Sequence, residues 1–173
     1  MAETPRRIVV GVDGSLGSVH ALAWALREAM TDGAEVEALL VWSDAWAITG
    51  PPSLFGAGRE GLHRLKATVA DAVSRAVREV PGSEAVKVTE RVIPGHAAEG
   101  LVAESESASM LVVGTTGLSG IRRWMLGSVS QHCAQLAHVP VVIVPTPGHR
   151  QPVHAGRRGN GYEEGEAGSE VNR

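Results

Sequence analysis

The 173-residue chain has a single cysteine, Cys133, so no intramolecular disulfide can form. No apolar run approaches the roughly 18 residues of a membrane span, and no charged-then-apolar leader opens the sequence. A cytoplasmic protein with no membrane partner is therefore expected. Positive charge is in short supply: a formal net charge of −3 gives no basic field, so no nucleic-acid partner is expected. Gly-x4-Gly-Lys-Ser/Thr is missing, which excludes Walker-type phosphate handling. What remains is 43% hydrophobic and 20% charged, enough for one core and short for two, and one domain is expected.

Strand and helix signals alternate along the chain. Arg7 to Val12 is a continuous apolar run of strand length, and Val19, Leu22, Ala23, Leu26 and Met30 then recur at helical spacing until Asp32-Gly33 stops them. Val36 to Trp42 reads as a second strand. Leu62, Leu65, Val69, Val73, Ala76 and Val80 mark a long amphipathic helix ended by Pro81-Gly82. Val86 to Ile93 alternates apolar and polar residues and suits a half-exposed edge strand. Ala98, Leu101 and Val102 give a short helix, Met110 to Val113 the fourth strand, Ser128 to Ala137 the fourth helix, and Val139 to Val144 the fifth strand. Strict βα alternation predicts an α/β fold, a doubly wound, mainly parallel five-stranded sheet with helices on both faces.

The segment most suited to touching a ligand follows the fourth strand. There Gly114, Gly117 and Gly127-Ser128 are spaced Gly-x2-Gly-x9-Gly-Ser. Paired glycines let the backbone turn sharply and approach an anion closely, and a helix start supplies free N–H groups and a hydroxyl. Ordinary turn chemistry is the competing reading of the glycines. Asp13, after the first strand, is acceptor-only when ionised, so it suits ribose hydroxyls or a metal-bound water better than a phosphate. Its competing reading is a cap for the helix that begins near Ser15.

This spacing resembles the ATP-binding signature of the universal stress protein family. The likeness extends to Ile8-Val9-Val10-Gly11-Val12-Asp13-Gly14-Ser15, to Gly127-Ser128-Val129-Ser130-Gln131-His132 and to Val139-Pro140-Val141-Val142-Ile143-Val144, in the family's order over residues 5–146. The resemblance implies a Rossmann-like sheet of order 3-2-1-4-5, in which the loops of strands one and four flank the crevice and Asp13 lies beside Gly114. It implies ATP, with Mg, as the cofactor. Asp13 then serves ribose or metal, Val41 meets adenine through its backbone, and Gly114 and Gly117 turn against sugar and phosphates. Gly127, Ser128 and Ser130 face phosphate, with Val129 standing where some members place a hydroxyl. Thr115 and Thr116 stand where many members have Arg or Ser, and Gly95-His96-Ala97 replaces the common Gly-x-Pro. The function implied is that of a nucleotide-dependent stress-response regulator, read by a regulatory protein partner or by its own assembly. The alternatives are a slow ATP hydrolase and a nucleotide-free dimerising scaffold of the same fold. Without a Walker lysine or a clear base to orient water, at most weak ATPase activity is expected. Many family members dimerise through the last strand, and a homodimer through Val139 to Val144 is expected here.

The domain is expected to span residues 1–146. Beyond it Pro147, Gly148, Pro152 and further glycines, with hardly any large apolar group, predict a disordered Gly-rich tail over 147–173. Its arginines are balanced by Glu163, Glu164, Glu166 and Glu170, which argues against a nucleic-acid arm. Arg122 and Arg123 suit either phosphate clamping or simple solvation, and Trp124-Met125 either closure over the nucleotide or a partner contact. Gly56-Ala57-Gly58-Arg59-Glu60-Gly61 fits the dinucleotide fingerprint, but Pro51-Pro52 separates it from its strand. Gly117-Leu118-Ser119-Gly120 is one residue short of a nucleophile elbow. His132 and Cys133 are adjacent on a helix and point about 100° apart, which disfavours a shared metal, and Cys133 is expected in the core.

Overall fold

The computed structural model describes residues 6–43, 59–115 and 126–146. Among these, strands β1 (Arg7–Gly11), β2 (Glu35–Trp42), β3 (Val88–Pro94), β4 (Met110–Gly114) and β5 (Val141–Val144) alternate with four helices. These are α1 (Leu16–Asp32), α2 (Arg59–Glu79), α3 (Ala97–Ser105) and α4 (Ser128–Leu136). All four strand pairings are parallel and the order is β3-β2-β1-β4-β5. The doubly wound, Rossmann-like α/β fold is thus as the sequence implied.

Local chemistry sets the helix ends. Ser15 caps α1 from extended backbone, its side chain accepting the Ser18 N–H at 3.2 Å. At the other end Gly33 adopts φ 71° and its N–H closes on the Ala29 carbonyl at 2.9 Å, a left-handed stop that glycine makes without steric cost.

Alternation along the strands divides the core into two layers. Ile8, Val10, Val36, Ala38, Leu40 and Val112 face α1 and α2. Val9, Leu39, Leu111 and Val113 face the other way, with Leu101 of α3 and Cys133 of α4. Ile8, Leu22, Leu26, Leu39 and Leu111 are fully buried, and each contributes about 1.5–3 kcal/mol of burial.

Four details depart from the sequence reading. Met30 and Leu62 are 46% and 41% exposed, and Ala29 and Leu65 take the buried positions beside them. The third strand begins at Val88 because a 3-10 turn at Ser83–Ala85 precedes it and its Ser83 carbonyl captures the Val86 N–H. The fifth begins at Val141 because Pro140 brings a carbonyl, which accepts the Leu111 N–H at 2.9 Å, but no N–H of its own. The edge position expected for β3 and β5 is as observed.

Candidate functional site

In an open parallel sheet the ligand crevice opens where neighbouring connections leave in opposite directions. Here that point lies between β1, whose chain passes on to β2, and β4, whose chain passes on to β5. The carboxyl end of β1 runs into Asp13-Gly14-Ser15. Asp13 Oδ1 accepts the Ser15 N–H at 2.9 Å, so the carboxylate braces the turn while Ser15 itself caps the helix. Gly14 has φ 82°, and a Cβ there would stand 2.7 Å from Thr68 Cγ2, so α2 overhangs this turn. Both facts keep the Asp13 carboxylate fixed at the lip of the crevice.

Across the switch point, Gly114 ends β4. A Cβ on it would fall 2.9 Å from the Gly17 carbonyl carbon and oxygen. The sequence reading assigned Gly114 to sugar and phosphate. The geometry adds a packing demand, because the first turn of α1 crosses directly over it. Thr115 follows, and its carbonyl accepts the Gly127 N–H at 2.7 Å, tying the start of α4 to the end of β4. The Thr115 Oγ1 atom is buried with no hydrogen-bond partner among the described residues, as is Thr146 Oγ1.

Two helix starts open on this end of the sheet. Gly127 is the N-cap of α4 and His96 that of α3, and neither makes a side-chain capping bond. The amides of Ser128, Val129 and Ser130 have no acceptor within their own helix and carry the positive end of its dipole. Ser128 is exposed, Val129 packs partly into the α3–α4 layer, and Ser130 is buried. The Ser130 hydroxyl lies 2.9 Å from the Gly127 carbonyl and 3.3 Å from that of Thr115. With one proton to donate, it braces the loop, and its amide faces the helix start.

Val41 lies two residues past the last β1–β2 register pair, Gly11↔Leu39, where the Val12 N–H bonds the Leu39 carbonyl at 2.8 Å. Peptide groups alternate sides along a strand, so those of Val41 point the way Leu39's do, toward space that β1 has already left. Asp13, Val41, Gly114, Gly127, Ser128, Val129 and Ser130 thus converge on one end of the sheet. Gly117, Arg122, Arg123, Trp124, Met125 and residues 56–58 and 147–173 lie outside the described residues.

No group of three or more His, Cys, Asp or Glu side chains that could hold a metal occurs among the described residues. His132 Nδ1 bonds the Ser128 carbonyl at 2.8 Å. Cys133 is fully buried, and burial pushes its thiol up to about 11. Nor is any described helix long and apolar enough to cross a membrane.

The opposite, amino end of the sheet carries charge that sequence reasoning did not single out. Glu37, with a side chain 6% exposed, accepts from Arg7 at 2.6 Å and from Arg91 at 2.8 Å. Arg91 also binds Glu104 of α3, and Arg7 reaches the Glu104 carbonyl and Ser107 Oγ, both at 2.8 Å. The hydrogen bond from Arg91 holds the Glu104 carboxyl below its usual range, and the bonds to Glu104 and Glu37 raise Arg91. Three strands and the end of α3 are joined there, far from the crevice.

Residues 4–145 match the model of the universal stress protein family. A universal stress protein of Mycobacterium tuberculosis (strain ATCC 25618 / H37Rv) is 35% identical over 143 residues, 82% of this chain and 50% of the relative. Another, of Mycolicibacterium smegmatis (strain ATCC 700084 / mc(2)155), is 34% identical over 137 residues, 79% of this chain and 45% of the relative. The chain spans about half the length of these curated relatives. Among solved structures, a universal stress protein in complex with cAMP shares 28% identity at TM-score 0.60, over 83% of this chain and 99% of the other. One from Archaeoglobus fulgidus in complex with dAMP shares 25% at TM-score 0.57, again over 83% and 99%. Sequence, sheet order and matched length agree, and the chain belongs to the universal stress protein family.

Proposed function

We propose that this chain binds an adenine nucleotide, ATP with Mg, in the crevice between the β1 and β4 ends, and that it acts as a nucleotide-dependent regulator in the stress response. The observation that carries the reading is the convergence there of one carboxylate, two helix starts without side-chain caps and a strand end with outward peptide groups. Each part suits one portion of a nucleotide. The amides of Ser128 to Ser130 suit phosphate oxygens, Asp13 suits ribose hydroxyls, and the Val41 amide and carbonyl suit the edge of adenine. Thr115 Oγ1, buried and without a partner among the described residues, is a further polar group for a ligand to satisfy. Relatives of this fold solved in complex with cAMP and dAMP support an adenine nucleotide as the ligand class.

Magnesium fits as a companion of the phosphates. The ion would neutralise phosphate charge, and the Asp13 carboxylate at the crevice lip would hold it through water only in place of ribose. Gly117 belongs to the same proposal as the second turn glycine. In this reading residues 1–146 are the nucleotide-binding domain, and the working form is a cytoplasmic homodimer read by a regulatory protein.

Calorimetric titration of the purified chain with ATP, with and without Mg, tests the reading, and phosphate release over hours runs beside it. Saturable binding without sustained turnover supports the regulator. Sustained turnover moves the protein to the hydrolase reading, and absence of binding to a folded chain leaves the nucleotide-free scaffold.

A further inference from the structure

Gly100 sits inside α3, where glycine is a poor choice. It has no left-handed φ to require it, its N–H makes the ordinary helical bond to the His96 carbonyl at 2.8 Å, and alanine is the better helix former. The reason for a bare Cα lies across the layer boundary. A Cβ at Gly100 would stand 2.8 Å from Val41 Cγ1, 3.0 Å from Cγ2 and 3.5 Å from Cβ. A Cβ at Gly95, at the end of the preceding loop, would stand 3.6 Å from the same Cγ1. Val41 is therefore nested against two glycines, with both methyls pressed into the first turns of α3. A valine has little rotamer freedom on a strand, so the glycines fix where its backbone lies.

That backbone is the part of β2 that looks into the crevice. Leu39 is the last residue of β2 to pair with β1, and Val41 is the next one whose peptide groups point to that side. The start of α3 stands over the same spot, with His96 and Ala97 just before the turn that carries Gly100. Helix and strand end are held at a separation that a single methyl group would change.

We infer that Gly100 is a positioning residue for the base subsite: by letting α3 close onto Val41, it sets the place of the peptide groups that select a purine. The inference rests on the nucleotide reading above and adds to it a determinant outside the glycine motif. Replacing Gly100 with alanine pushes the Val41 methyls away from α3 and carries the strand end with them. Base recognition suffers, while the phosphate subsite at the start of α4, on another element, keeps its geometry. The effect is selective for ligands with a base.

The test is a double-mutant cycle on the full chain, read with AMP and with inorganic triphosphate. Gly100→Ala is expected to weaken AMP by about tenfold and to leave triphosphate within about twofold. In a Val41→Ala background, where the interfering methyls are gone, the same substitution should change AMP affinity by less than about twofold. Melting temperature gives a second readout: Gly100→Ala should raise it more in the Val41→Ala background than in the unmodified chain. Unchanged AMP affinity in folded Gly100→Ala, equal losses in both backgrounds, or equal losses for AMP and triphosphate would overturn the inference. An unmodified, folded chain that binds neither ligand would instead overturn the nucleotide reading, and this inference with it.

Discussion

Gly114 meets a packing demand that its sequence pattern does not announce. Its place after an apolar strand, followed by Gly117 and Gly127-Ser128, makes it a candidate turn near phosphate in the sequence. The backbone of Gly17, pressed against the space its Cβ would fill, was not legible, because nothing in the local pattern says that α1 crosses there. Gly114→Ala should therefore destabilise the fold by about 1–3 kcal/mol in urea unfolding, a cost of overpacking that appears with no ligand present. Stability unchanged to within a few tenths would show that the crossing can open freely. Asp13 carries the opposite expectation. Its bond to the Ser15 N–H is one of several supports of the turn, so Asp13→Ala should cost little stability. It should weaken ATP while leaving inorganic triphosphate largely unaffected, as titration calorimetry can read. Equal loss for both would assign Asp13 to the metal and not to ribose.

At the scale of elements, the α3 layer depends on a charge network that the sequence conceals. Glu35 and Glu37 both stand in β2 with nothing in the local pattern to mark Glu37 as the buried one, and its partners Arg7 and Arg91 lie 30 and 54 residues away. Only the register of three neighbouring strands brings them together. Removing Glu37 leaves guanidinium groups that can reach water, and Glu37→Gln should cost about 1–3 kcal/mol. Removing both arginines strands a buried carboxylate, so Arg7→Met with Arg91→Met should cost more, about 3–5 kcal/mol. Equal costs in chemical denaturation would contradict the burial of Glu37. The network also sets a pH response. The Glu104 carboxyl has a lower pKa folded than unfolded, because Arg91 donates to it. Its stabilisation is therefore complete above the unfolded value, near 4.3, and is lost as pH falls through the folded value. Glu104→Gln should lower stability at neutral pH, change little at acid pH where the carboxyl is already protonated, and so flatten the fall in stability below about pH 4.5, as denaturation across pH can read. Helix limits, by contrast, were readable, since Gly33 and Pro81-Gly82 act within one turn of chain. Strand starts slipped by two residues where a local turn captured an N–H, at Val86, and where proline supplied none, at Pro140.

Across the whole molecule, β5 is an edge strand whose Val141, Val142 and Ile143 remain partly exposed. The homodimer proposed above would satisfy this edge with an antiparallel copy about a two-fold axis. Val142→Lys or Ile143→Lys should shift the protein toward monomer, because each charge would be desolvated beside its own copy. Light scattering that shows an intact dimer for both variants would place the interface elsewhere. Deleting residues 147–173 should leave melting temperature and ATP affinity nearly unchanged, and a drop of more than a few degrees would show that the tail packs. Nucleotide held at the carboxyl end of the strands should perturb the amides there, which chemical-shift mapping during an ATP titration reads. The amides of Val41, Gly114, Ser128 and Ser130 should move together with one saturation curve, while those of Arg7, Glu37 and Ser107 at the opposite end stay in place. Shifts confined to the Arg7–Glu37 end, or no saturable shifts in the crevice, would contradict it.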